Sequence, residues 1–196
     1  MREELERRVL SLENDKALMF GVFVSRRLIR SFEEFSAKTG HMGISILHQA
    51  IYYAWAAIER VEFGQKITSE RCFNAAPDSE EFRSLLTSSA INAANACGVL
   101  VDFANSLTDN VLEISQLSID GVDLLIQNQT DKEILDIDSY INSHPVMIRE
   151  INWQFYLINL IENLSLSDLM DVNRLYIEVD REIISEVINP VKVNFD

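Results

Sequence analysis

Apolar residues along this chain recur mostly at spacings of three and four, the period of a helix with one buried face. Leu5, Val9 and Leu12 predict a short amphipathic helix at the start. A second is expected from about Asp15 to Lys38, with Met19, Val22, Phe23, Ile29, Phe32 and Phe35 inward and Thr39-Gly40 as its end. Gly40 is suited to a left-handed cap. Leu47, Ile51, Ala54, Trp55, Ile58 and Val61 predict a third from about Ile44 to Phe63, closed by Gly64. A short helix follows over Thr68 to Ala75, before Pro77.

Asp78 with Glu81 three residues on has the form of a capping box and predicts a helix start there. After a break near Thr87, Ser88 to Ser106 reads as a helix rich in small residues, with Ala90, Ala94 and Cys97 on one face. Small side chains let helix axes approach, so this is expected to be the central helix. Asn110 and Glu113 open the next, to about Asn128; Thr130 and Glu133 predict a capped short helix to about Asn142. Pro145 fits the first turn of another, carrying Ile148, Ile151, Phe155 and Ile158. Leu164 to Ser167 is the next turn, and Val172, Tyr176, Val179, Ile183 and Val187 define a last helix stopped by Pro190. No stretch reads as a clean strand. The expected fold is all-α: an irregular bundle of about seven to nine helices around a single core, forming one domain over residues 1–196.

Composition agrees with the pattern. Six Gly and three Pro in 196 residues are too few for the closely spaced turns of a sandwich or barrel. The net charge of −14 disfavours nucleic acid and anionic lipid as partners. The charge is unevenly spread: residues 1–40 carry +1 and residues 41–196 carry −15, and no Lys or Arg occurs from Ser84 to Asp131. Two readings follow. The N-terminal helices lie across an acidic body, or the acidic side meets a basic protein partner. Ala17–Val24 is too short, and Ser84–Val101 too polar, to span a membrane. The charged start lacks the apolar core of a signal peptide, and Cys72 and Cys97 form no C-x-x-C pair. A cytoplasmic protein with two buried thiols is the expectation.

Chemistry-bearing motifs are sparse. Neither common glycine-rich phosphate loop is present, nor H-E-x-x-H, nor G-x-S-x-G. Lys38, Ser45 and Ile141 stand three residues before His41, His48 and His144, which removes the Glu-x-x-His pattern of a di-iron bundle. His41 is expected in the turn after Gly40, His48 near Tyr52, and His144 at a cap before Pro145. Two groups are candidate binding residues. Asn92 and Asn95 on the central helix would line a polar ligand pocket if not satisfied internally. Arg26, Arg27 and Arg30 would hold a phosphate or carboxylate if not paired with carboxylates such as Glu33 and Glu34. Trp55 and Trp153 read as core or interface anchors, with Glu150, Asn152 and Gln154 flanking the latter.

Three segments carry a family resemblance: Phe20 to Gly40, notably Val24-Ser25-Arg26-Arg27; Ala76 to Phe82 and on through Ala90-Ile91-Asn92-Ala93; and Glu150-Ile151-Asn152-Trp153-Gln154-Phe155. In their order and spacing the chain resembles the YjaG-like family, bacterial proteins grouped as a domain of unknown function. It departs in having Asp15 where that family often has Trp, Leu28 and Ile29 where a Pro often follows the arginines, and Asn92 in place of Asp. The resemblance implies an all-helical cytoplasmic protein and no activity, so it assigns no catalytic, cofactor or metal residue. From the residues, the expected function is a non-catalytic helical protein acting through protein contacts, as a homodimer or with a basic partner. The alternative is a small-ligand-binding protein or enzyme with an uncatalogued pocket between helices.

Overall fold

The computed structural model describes residues 1–64, 67–106, 111–130, 134–163, 165 and 168. Among them are eight helices and no strand: α1 (Arg2–Leu10), α2 (Asn14–Thr39), α3 (Ile44–Glu59), α4 (Ser69–Phe73), α5 (Leu85–Ser106), α6 (Leu112–Asn128), α7 (Ile137–Ser143) and α8 (Pro145–Asn163). The expected all-α bundle is the observed one. The last expected helix, from Val172 to Val187, lies outside the described residues, as do the expected capping residues Asn110 and Glu133.

α2 and α5 form the central pair. Every residue of α2 from Ala17 to Ser25 is buried, and so is every residue of α5 from Ala96 to Val101. An apolar stripe serves a helix with one covered side; these stretches are apolar all round because neighbours cover every side. Phe20, Phe23, Phe32 and Phe35 are fully buried along α2. Each such side chain contributes about 1.5–3 kcal/mol by leaving water. Opposite them α5 offers Ala90, Ala93, Ala94, Ala96 and Cys97, whose small volumes admit the rings. The apolar side chains gather in two adjoining clusters, with Leu28 and Ile51 packed against both.

α1 lies across α6 and α8. Leu5 and Val9 fill its inner side. Around them Arg2 meets Asp123 at 3.5 Å, Arg8 pairs with Glu162 and donates to Asn159 at 3.0 Å, and Lys16 from α2 donates to the Glu162 carbonyl at 3.1 Å. Arginines of the first helix thus lie across acidic residues of α6 and α8, as one reading of the uneven charge expects.

Helix ends show where local signals decided and where they lost. Gly40 ends α2 at φ 75°, as its position in the sequence predicts. Gly43 starts α3 at φ 138°, with the Ala75 carbonyl 3.3 Å from where a Cβ would stand. α3 stops earlier than expected. Arg60 takes the left-handed conformation at φ 55°, and Val61 N–H bonds back to the Ala56 carbonyl in a Schellman turn. Gly64 plays no part in that cap. The helix expected at Asp78 is a turn instead: the Asp78 carboxylate accepts from Glu80 N–H at 2.7 Å, and its carbonyl accepts from Phe82 N–H at 3.0 Å. α5 begins at Leu85, where the Ser84 hydroxyl accepts from Thr87 N–H. Thr130 does not cap α7. Its hydroxyl donates to the Ile126 carbonyl at the end of α6, and Asp136 caps α7 by accepting from Ser139 N–H. After α8, Ser165 and Asp168 bond each other's N–H reciprocally, a capping box in the region read as a turn.

Candidate functional site

The densest polar cluster in the interior joins α2, α6 and α8. α6 sends Ser115 and Ser118 into an otherwise apolar interface, three residues apart and hence on one face. α8 meets them with Glu150 and Gln154, four apart. Glu150 is 3% exposed at its side chain and Gln154 is fully buried. The Ser118 hydroxyl donates to Glu150 Oε1 at 2.9 Å, and Gln154 Nε2 donates to the same oxygen at 2.8 Å. Ser115 donates to Gln154 Oε1 at 2.5 Å, and Gln154 Nε2 also reaches the Ser115 carbonyl at 3.4 Å. From α2 comes Arg27. Its guanidinium pairs with Glu150 Oε2, bonds the Ser118 hydroxyl at 2.7 Å, and lies 3.8 Å from the centre of the Trp153 ring. The buried charge is thus paired, hydrogen-bonded and stacked, as a charge in a low-dielectric interior must be.

This places the predicted candidates. Of the three arginines, Arg27 turns inward to Glu150, while Arg26 and Arg30 are half-buried on the same helix. The structure does not gather the three into one anion cradle around Arg27, because its charge is already met. Of the neighbouring carboxylates, Glu34 pairs with Lys38 at 2.5 Å and Glu33 with His48 at 3.1 Å. Asn92 donates to the Leu117 carbonyl at 3.1 Å and ties α5 to α6; Asn95 is half-buried. Trp153 is a core residue, and Trp55 packs edge-on against Phe23 while donating to Glu59 at 2.8 Å.

The histidines separate. His41 sits in the turn after Gly40, its Nε2 3.0 Å from the Ala75 carbonyl and its ring edge-on to Phe32, Phe35 and Phe82. His48, expected beside Tyr52, reaches across to α2 and Glu33 instead. His144 caps α8, its Nδ1 accepting from Val146 N–H at 3.3 Å. Among the described residues, no group of three His, Cys, Asp or Glu is placed to hold a metal ion. Cys72 and Cys97 are buried free thiols. Burial pushes the Cys72 thiol up to about 12 and raises that of Cys97 as well.

One charged surface stands out. Glu113, Asp120 and Asp123 stand on α6, which carries no Lys or Arg, whereas Asp102 on α5 lies close enough to Cys72 of α4 to act on its thiol. The Asp120 carboxyl is raised above the usual range, first by partial burial and then by the charge of Asp123, with Arg2 opposing.

Residue-level reading missed the α6–α8 network. Its signal was present: two serines three apart on an inward stripe, and a Glu and Gln four apart within another.

The chain matches the family model described as a protein of unknown function, DUF416, over residues 4–187. It belongs to that family. A DUF416 family protein from Shewanella baltica OS155 has the same fold in its crystal structure, with a TM-score of 0.79 at 20% identity over 89% of this chain and 93% of that one. Among curated proteins, none matches the chain. The unknown-function bacterial family expected from the sequence is therefore shown as DUF416; neither match carries the YjaG label. Two of the segments behind that expectation meet at the network, Arg27 from the first and Glu150, Trp153 and Gln154 from the third. The first and second meet where Phe35 packs on Phe82 at 5.2 Å between ring centres. In the DUF416 fold, no helix among the described residues is long and apolar enough to cross a membrane.

Proposed function

We propose that this protein acts through protein contacts as a non-catalytic module in the cytoplasm, presenting the acidic side of α6 to a basic protein partner. The observation that carries the reading is the charge on α6, where Glu113 and Asp120 are exposed and no Lys or Arg stands on the helix. The Asp120 carboxyl is raised, first by desolvation and then by the charge of Asp123. Arg2 opposes part of this charge and meets Asp123 at 3.5 Å. A docking cation would relieve that repulsion, and the surrounding negative field would steer it in. The two buried free thiols support a reducing compartment.

The test combines stability with capture. Asp120→Asn should raise the melting temperature, because it removes the repelled charge. Neutralising Glu113 and Asp120 together should abolish recovery of a basic protein from a low-salt extract of the source cells. Salt should release the same protein from the unaltered chain, as expected for exposed charges. Equal recovery by the neutralised variant would overturn the reading.

A further inference from the structure

We draw no further inference here: the strongest candidate, the buried thiol pair of Cys72 on α4 and Cys97 on α5, lies wholly inside an apolar cluster that holds both groups protonated, and nothing among the described residues opens it to an oxidant or a metal ion.

Discussion

Glu150→Gln tests how the interior of this bundle holds its charge. The substitution keeps the side-chain shape and still allows Ser118 and Gln154 to donate to the remaining carbonyl oxygen. It removes the counter-charge of Arg27, whose side chain is only 12% exposed. Breaking one half of a buried pair costs about 3–5 kcal/mol. Here the guanidinium keeps its bond to Ser118 and the face of Trp153, which places the loss near about 3 kcal/mol at the lower end of that range. With a urea m-value of about 2 kcal/mol/M, the unfolding midpoint should fall by about 1.5 M at an unchanged slope. Arg27→Met with Glu150→Leu should recover part of that loss, since no orphaned charge remains while Ser118 and Gln154 lose a shared acceptor. A midpoint shift below about 0.3 M for Glu150→Gln would show that the pair behaves like an exposed salt bridge of about 0–1 kcal/mol and not as a buried one.

Gly43→Ala should destabilise the fold by about 1–3 kcal/mol, because φ 138° is closed to a side chain and the Cβ would press on Ala75; thermal melts read this directly. Cys72 and Cys97 should resist iodoacetamide in the native chain at pH 8 and react fully in denaturant, since burial holds both as thiols. The Asp136 carboxyl is lowered by the Ser139 hydroxyl and backbone N–H that bond it. Its contribution is complete above the ordinary aspartate range and is lost as pH falls through the lowered value. Amide exchange at Ser139 should accelerate only there; acceleration already at neutral pH would contradict the cap.

The bundle was legible in the sequence because most helices are amphipathic and their apolar positions keep a period near 3.6. α2 and α5 were also legible, through their length and small or aromatic residues, although their buried stretches are apolar on all sides. Boundaries were harder where tertiary contacts outweighed a local cue. Asp78 and Glu81 spell a capping box, yet Phe82 is drawn into the cluster of Phe35 and His41, and the segment closes as a turn. Val61 extends the apolar rhythm of α3, yet Arg60 has already left the helix at a left-handed angle that no glycine signalled. The candidate site was legible by residue type and not by partnership. Arg27 was visible as a charge, but its counter-ion lies 123 positions away on α8, beyond any local pattern. Asn92 was visible as a buried-face amide, but its acceptor is a backbone carbonyl, which every residue carries.

A basic protein docked on the acidic side of α6 would be seen by native mass spectrometry of the untagged chain, purified from its own cells at low salt. The proposed role predicts a complex with a basic protein that is absent when Glu113 and Asp120 are neutralised. A chain that carries only a small molecule, or spectra that are the same for both forms, would contradict it.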